Sequence, residues 1–293
     1  MLLAIALLPL WIPHWWESNR HKLAVSLLLG LPILALYAAR RPGALLSTAE
    51  DYVSFIVLLA GLFVISGGIL LRGDLAATPR TNTAFLALGA VLASFVGTTG
   101  ASMLLIRPIL QTNRERTRVR HTIVFFIFLV SNIGGMLTPL GDPPLFLGYL
   151  QGVPFTWTFQ LWTHWGLQVV ALLALYFVWD RREYSREPIA ALRRDRAQIE
   201  PLRVQGAPNI LALGQGLGLA REVVDVPHTI LAAISVGAVS MGANSYIGNA
   251  PNFMVKSIAE QQGVKMPSFF GYMVYSGAVL VPLFVVVTVV FFF

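Results

Sequence analysis

The sequence contains one short pattern twice, as Leu140-Gly-Asp-Pro-Pro-Leu-Phe146 and as Ile247-Gly-Asn-Ala-Pro-Asn-Phe253. Each copy follows an apolar segment that contains glycine and asparagine. Glycine and proline clustered within apolar segments indicate helices that break and restart inside a membrane. A pair of such breaks in the two halves of a chain points to the binding site of a transporter.

The composition places the chain in a membrane. Of its 293 residues, 56% are hydrophobic and 12% are charged, and the mean hydropathy is +0.69, whereas about 25% of residues are charged in soluble domains. Uncharged runs close to the roughly 20 residues that cross a bilayer occur at 23–39, 52–71, 160–179 and 269–293. We expect an all-α multi-pass membrane protein. Its first apolar helix, 1–16, lacks a basic start and a cleavage site, so we expect it to be retained.

The positive charges are concentrated in two loops. The net charge is +7, and 11 of the 21 lysines and arginines lie in loops 113–121 and 181–204. Basic loops that flank apolar spans mark the cytoplasmic side, which is a better account of this charge than nucleic-acid binding. We therefore expect an integral protein of the bacterial inner membrane with both loops in the cytoplasm. Its expected partners are the lipid bilayer and a small ion or anion.

Placing both basic loops inside determines a topology. Residues 121–150 then form one broken helix, and residues 82–112, with both ends inside, form a re-entrant hairpin whose tip is Gly97–Ser102. The helix at 160–179 completes a first repeat over residues 1–180. The expected second repeat, 228–293, holds only a broken helix at 228–260 and a helix at 269–293.

The intervening region, 181–227, is predicted to be a basic cytoplasmic loop and a deletion junction. Its residues 205–227 are too few and too polar for a good span, yet the topology requires the chain to return outward there. The second repeat therefore lacks scaffold helices and a hairpin, and we expect an internal deletion.

The two break sequences carry a family resemblance. The runs Ser131–Pro144 and Gly242–Val255 resemble the two broken-helix signatures of the ion transporter superfamily, and Gly97–Ser102 stands in the place of its first hairpin tip. The nearest branches are sodium–proton antiporters, arsenite permeases and citrate transporters. The resemblance implies an inverted-repeat fold, commonly a homodimer, in which hairpin tips and broken helices meet at mid-membrane.

Asp142 is the principal candidate site residue. It is the only carboxylate between Thr122 and Trp179, and an acid at membrane depth is costly unless it has a function. At a helix break it could bind Na⁺ or carry a proton. The alternative is that Asp142 only caps a half-helix, because aspartate before proline is a favourable N-cap. The equivalent Asn249 is neutral and could cap in the same way.

The other candidate ligands lie near the two breaks and the hairpin tip. They are Asn132, Thr138, Gly141, Asn244, Asn249 and Asn252 near the breaks, and Thr98, Thr99 and Ser102 at the tip. Side-chain and freed main-chain oxygens suit hard cations, and exposed N–H groups at a tip suit an anion. Each residue could instead satisfy unwound backbone or allow close helix contact. No cofactor is expected beyond Na⁺ or H⁺ as coupling ion, with any Na⁺ near Asp142 and Asn132.

These observations predict a secondary active transporter, with Na⁺/H⁺ antiport as the first choice. Transport of citrate, another organic anion or arsenite is the alternative substrate assignment. A truncated remnant that transports nothing is a further alternative. An enzyme is not expected: Gly141-Asp142 resembles the motif of intramembrane aspartyl proteases, but those enzymes need a second aspartate on a facing span.

Overall fold

The computed structural model describes residues 4, 8, 11–67, 70–197, 199–205 and 228–293. The chain divides into two compact units, residues 1–58 and 59–293. The first unit contains α1 (Pro13–Glu17), α2 (Asn19–Arg40) and the start of α3 (Pro42–Gly67). The predicted spans 23–39 and 52–71 fall within α2 and largely within α3. Most of the predicted helix 1–16 lies outside the described residues.

The second unit contains the elements that form the site. Its helices are α4 (Pro79–Val96), α5 (Thr98–Thr112), α6 (Arg120–Leu129), α7 (Pro143–Leu150), α8 (Trp162–Tyr184), α9 (Ile189–Ala197), α10 (His228–Met241), α11 (Ala250–Gln261) and α12 (Phe269–Phe292). Short 3₁₀ turns occupy Ile133–Leu137, Phe155–Leu161 and Gly242–Asn244. The described residues thus include all the predicted broken helices and the helix predicted at 160–179.

Two short strands were not expected from the sequence. Strand β1 (Leu70–Asp74) pairs antiparallel with β2 (Glu200–Gln205), with Leu70 opposite Gln205 and an irregularity between Arg72 and Asp74. Segments of five and six residues are too short for a clear alternating pattern, which explains why the sequence did not reveal them. The strands join the chain before the hairpin to the end of the second basic loop.

Within the described residues, four helical segments are long and apolar enough to cross a membrane: Asn19–Arg40, Arg120–Leu137, Phe155–Tyr184 and Phe269–Phe292. Apart from the short β1–β2 pair, the chain is therefore an all-α multi-pass membrane protein. The most apolar window of Arg120–Leu137 is 89% buried, whereas that of Phe155–Tyr184 is 28% buried and that of Phe269–Phe292 is 22% buried. Helix α6 is consequently at the centre of the second unit, while α8 and α12 present apolar faces to the surroundings.

Helices α4 and α5 form the predicted hairpin, but its tip is tighter than expected. Only Gly97 lies outside the two helices, with φ 78° and ψ 150°. This left-handed φ favours glycine. The polar residues Thr98–Ser102, predicted to be part of a non-helical tip, form the beginning of α5 instead. The hairpin ends against the first break, where Thr98 N–H donates to the Gly141 carbonyl at 2.8 Å.

A buried ion cluster fixes the base of the hairpin. The guanidinium of Arg116 lies 2.6 Å from an oxygen of Asp180 in α8, and His121 Nε2 lies 2.8 Å from the same oxygen. Asn82 and Asn113, one on each arm of the hairpin, exchange amide hydrogen bonds of 2.8 and 2.9 Å. Burial acts to lower the pKa of Arg116, but the hydrogen bond and charge of Asp180 outweigh it and raise that pKa.

Glu187 holds the loop between α5 and α6. Its carboxylate accepts hydrogen bonds from Thr117 N–H (3.0 Å), Thr117 Oγ1 (2.7 Å) and Arg118 N–H (2.8 Å). Burial acts to raise the pKa of Glu187, but these hydrogen bonds outweigh it and lower the pKa. The ionised carboxylate therefore anchors the loop from which α6 begins.

The two broken helices are copies of one structural repeat. In each, two glycines six residues apart touch each other: Gly135 with Gly141, and Gly242 with Gly248. A Cβ on Gly135 would lie 2.7 Å from the Gly141 carbonyl oxygen, so this approach requires glycine. The copies are related by a shift of 107 residues, since 135 corresponds to 242 and 141 to 248.

The two copies differ in how they are covered. Ile127 in α6 is fully buried, whereas its counterpart Ile234 in α10 is 59% exposed. Phe146 in α7 is 7% exposed and its counterpart Phe253 in α11 is 61% exposed. Helix α4 packs on α6 and on the first break, and the described residues include no second hairpin in the equivalent place. Within the described residues, the first broken helix is therefore more deeply covered than the second.

Candidate functional site

Asp142 and Asn249 occupy equivalent positions at the starts of α7 and α11. Their backbones have almost the same conformation, with φ −145° and ψ 141° at Asp142 and φ −148° and ψ 145° at Asn249. Neither side chain accepts a hydrogen bond from the helix that it precedes. Pro143 and Pro144 provide no N–H groups. The side chain of Asp142 therefore does not act as the cap that the sequence offered as an alternative.

The Asp142 carboxylate turns instead toward the second repeat and the hairpin tip. Its Oδ1 accepts hydrogen bonds from Asn249 Nδ2 at 3.2 Å and from Thr98 Oγ1 at 3.4 Å. Asn249 Nδ2 also lies 3.2 Å from the Ser131 carbonyl and 3.3 Å from Asn132 Oδ1. We call Thr98, Ser131, Asn132, Asp142 and Asn249 the central cluster. Asp142 is only 3% exposed within it.

In the central cluster, more acceptor oxygens surround Asn249 Nδ2 than it has hydrogens to donate. Three oxygens, from Asp142, Asn132 and the Ser131 main chain, converge on Asn249 Nδ2, which carries only two hydrogens. A carboxylate, a side-chain amide oxygen and a main-chain carbonyl are ligands that hard cations take in proteins. The oxygens around the Asn249 amide are therefore of the types that coordinate cations.

Three helices begin at the central cluster. Helix α5 begins at Thr98, α7 follows Asp142 and α11 follows Asn249, and none is capped by the side chain of its N-cap residue. The N-terminus of a helix carries partial positive charge and attracts anions. Because α7 begins with two prolines, its contribution is its dipole, whereas α5 and α11 also offer N–H donors. The cluster thus combines oxygen ligands for a cation with helix ends that favour an anion.

Asn132 and Asn252 join the two breaks. Asn132 Nδ2 donates to Asn252 Oδ1 at 2.6 Å and to the Ile127 carbonyl at 2.7 Å. Asn252 Nδ2 donates to the carbonyls of Gly242 and Ser245 at 2.8 and 2.9 Å. Both side chains are fully buried, so they satisfy the carbonyls that unwinding leaves free. In Asn132, Oδ1 remains directed to the central cluster.

The other predicted residues at the tip and the first break surround the cluster. Thr138 Oγ1 donates to the Ser94 carbonyl, which ties the break to α4. Ser102 Oγ lies 2.8 Å from Ser131 Oγ, which ties the break to α5. Thr99 is half-buried in the first turn of α5, and Gly141 contributes its carbonyl to Thr98.

Asn244 is the one predicted residue that the structure places elsewhere. The sequence paired it with Asn132, but the shift of 107 residues pairs Asn132 with Val239 and Asn244 with Leu137. The Asn244 amide donates to Met241 Sδ at 3.2 Å and not to a residue of the central cluster. The two asparagines are at different sequence distances from their breaks. The presence of an asparagine near each break therefore did not make the two residues structurally equivalent.

Two serines were missed by the sequence reasoning. Ser94 Oγ in α4 donates to the Gly134 carbonyl and accepts from Leu137 N–H at 3.2 Å, so it closes the first break from the hairpin side. Ser131 supplies a main-chain carbonyl to the cluster. A polar residue such as Ser94 within an apolar hairpin arm was an available signal, but no sequence pattern identifies which carbonyl a break leaves free.

A helical membrane protein with two broken helices, a hairpin tip between them and a buried polar cluster where they meet is a membrane transporter. The chain belongs to the family described as "Putative citrate transport", which matches residues 1–219 and 214–292. The two matched segments overlap at residues 214–219. No curated protein and no solved structure matches the chain.

Proposed function

We propose that this chain is a cation-coupled secondary transporter of citrate or a closely related polycarboxylate, with Asp142 as the ligand of the coupling cation. The observation that carries the proposal is the convergence of a buried carboxylate and two further oxygens on one amide, at the point where three helices begin. The family description supports citrate as the substrate. The oxygen cluster supports Na⁺ or H⁺ as the coupling ion.

The coupling step follows from competition at Asn249. A Na⁺ ion among the oxygens of Asp142, Asn132 and Ser131 takes the position toward which the Asn249 amide now donates. Rotation of the Asn249 side-chain amide by about 180° then exchanges Nδ2 for Oδ1 and presents Oδ1 to the ion as a further ligand. Because Asp142, Asn249 and Thr98 stand at the starts of α7, α11 and α5, occupancy acts directly on three helices. This is the region about which alternating access operates in inverted-repeat transporters.

The substrate anion belongs beside the ion, at the helix N-termini. Among the described residues, the hydrogen-bond partners of the central cluster include no lysine and no arginine. A bound polycarboxylate would therefore be repelled by the Asp142 carboxylate, with no basic side chain to offset the repulsion. A bound cation supplies the missing positive charge, so ion and substrate stabilise each other there.

Na⁺/H⁺ antiport is the second candidate, and the same shortage of basic side chains favours it. A site with one carboxylate and no positive partner binds Na⁺ or H⁺ in turn without requiring an anion. Both candidates depend on Asp142, and they differ in whether citrate crosses the membrane.

The test uses the purified 293-residue chain in proteoliposomes that contain a fluorescent pH indicator. One assay measures uptake of labelled citrate driven by a Na⁺ or pH gradient, and the other measures the luminal pH change on adding Na⁺ without citrate. Gradient-dependent citrate uptake supports the proposal. A Na⁺-dependent pH change without citrate uptake replaces it with antiport. If neither occurs in vesicles that contain correctly folded protein, the chain is a remnant that does not transport.

A further inference from the structure

A large basic cavity lies at the end of the second unit that carries the first basic loop. Its volume is about 810 Å³, and it lies between the loop from α5 to α6 and the loop from α11 to α12. The cationic side chains that line it and are not part of the buried ion cluster are Arg114, Arg118, Arg120 and Lys265. This cavity is separate from the central cluster, because it shares no residue with it.

Only two of these cations are unneutralised. Arg114 pairs with Glu115 at 3.0 Å, and Arg118 pairs with Glu183 at 3.0 Å. Within the described residues, Arg120 and Lys265 form no ion pair. Arg120 Nε donates to the Lys265 main-chain carbonyl at 2.8 Å, so the Arg120 side chain lies against the loop that carries Lys265. Both cations therefore line the same cavity without a neutralising carboxylate among the described residues.

The guanidinium of Arg120 is positioned for an oxyanion. Its Nε is used by the Lys265 carbonyl, which leaves the two terminal nitrogens to form a fork on a phosphate. Helix α6 also begins at this cavity, and its N-cap residue Val119 provides no side-chain cap. The helix dipole therefore adds to the positive potential of Arg120 and Lys265.

Part of the cavity wall is apolar and aromatic, beside the polar residues Gln111, Asn113, Thr117 and Gln262. Leu110, Val264, Trp179 and Tyr275 line it, and the rings of Trp179 and Tyr275 stack with centroids 5.9 Å apart. Tryptophan and tyrosine at the ends of spans typically lie at the level of lipid headgroups. A cavity with cations on one wall and aromatic side chains on another fits a lipid headgroup with its glycerol, whereas a free ion would use only the cations.

We propose that this cavity binds the phosphate of an acidic phospholipid, with Arg120 and Lys265 as its charged ligands. Basic pockets between spans on the cytoplasmic side bind acidic headgroups in this manner. The lipid would bridge the start of α6 and the loop before α12, and thereby join the first broken helix to the second repeat. The proposal does not depend on which ion or substrate is transported.

The experiment is native mass spectrometry of the detergent-purified chain titrated with phosphatidylglycerol. Parallel titrations use phosphatidylcholine, and inorganic phosphate without lipid. The test variant is Arg120→Gln with Lys265→Gln. The matched control is Arg181→Gln with Arg182→Gln, which removes two exposed charges from the end of α8 that do not line the cavity.

We expect phosphatidylglycerol to bind the wild type and the control equally, and to bind the test variant about 25-fold more weakly, at about fivefold for each cation removed. If the test variant does not elute as folded protein, Lys265→Gln alone should show the fivefold loss, because Lys265 is exposed on a loop. An equal loss in the control would show general surface attraction and overturn the proposal. Binding of inorganic phosphate without any preference for phosphatidylglycerol would overturn it as well.

Discussion

Replacement of Asp142 by asparagine separates the charge of the central cluster from its shape. Asparagine keeps an oxygen that can accept from Asn249 Nδ2 and Thr98 Oγ1, the two hydrogen bonds that Asp142 Oδ1 now accepts at 3.2 and 3.4 Å. The side chain has nearly the same volume, and the site is already buried. We therefore expect the stability of the folded protein to change by no more than about 1 kcal/mol.

The effect on cation binding should be much larger. Two unit charges 4 Å apart attract each other by about 4 kcal/mol at an effective dielectric constant of about 20. Loss of that attraction corresponds to roughly a thousandfold weaker binding. Because Asp142 is only 3% exposed, solvent screens little of this charge. At a fixed Na⁺ concentration, the coupled flux should therefore fall to background.

The assay is Na⁺-driven uptake of labelled citrate into proteoliposomes, together with the Na⁺-dependent pH change in the same vesicles. Thr98→Val is the matched control, because it removes only the longer of the two hydrogen bonds and keeps the charge; we expect its flux to fall by less than about fivefold. Wild-type flux in Asp142→Asn, in either assay that the wild type supports, would refute the role assigned to the carboxylate. A loss caused by unfolding is recognised from the thermal unfolding midpoint of the purified variant.

Three further variants test how the site is supported, each by thermal unfolding in detergent. Gly141→Ala should destabilise the fold by about 1–3 kcal/mol because its Cβ would meet the Gly135 main chain. Its control is Gly277→Ala, which has open space around the new Cβ and should be neutral or stabilising. Asn252→Ala should cost about 1–3 kcal/mol because two half-buried carbonyls lose their donor. Glu187→Gln should be less stable than the wild type by about 1–2 kcal/mol at neutral pH. The pKa of Glu187 is lowered in the folded state, so the stability advantage of the wild type is fully present above the ordinary pKa of 4.5. It is lost as the pH falls from 4.5 through the lower pKa of the folded state. A stability difference that stays constant as the pH falls below 4.5 would contradict the assignment.

The breaks and the hairpin could be predicted from the sequence because glycine and proline act on the backbone locally. Pro143 and Pro144 can begin a helix but cannot continue one, and Gly97 adopts a left-handed φ, so these residues mark the breaks wherever the chain packs. The family is likewise shown by the match along the chain. The earlier preference for Na⁺/H⁺ antiport stays a prediction, because no local pattern distinguishes a coupling ion from a transported one.

The contacts within the site could not be predicted in the same way. The hydrogen bond from Asn249 to Asp142 joins residues more than a hundred positions apart, and it depends on which face each break turns toward the other. The sequence placed both residues at helix starts, where the most local role for each side chain is to cap the helix that follows it. It took the packing of the two repeats to show that each side chain serves the other repeat. The ion cluster of Arg116 and Asp180 was missed for the same reason.

The difference between the two repeats determines the charge of the site. Asp142 and Asn249 hold the same position and backbone conformation in their repeats, with 3.2 Å between Oδ1 and Nδ2. Two aspartates at that distance would repel each other, and a buried pair would require a proton or a divalent cation between them. The amide in the second repeat replaces that repulsion with a hydrogen bond and leaves a single ionisable carboxyl group. Under the proposed function, this one carboxylate would bind one monovalent cation, and the cation would then offset part of the charge of an arriving substrate carboxylate. The repeat therefore supplies the geometry of the site twice, while the difference between Asp142 and Asn249 sets the number of carboxylates there.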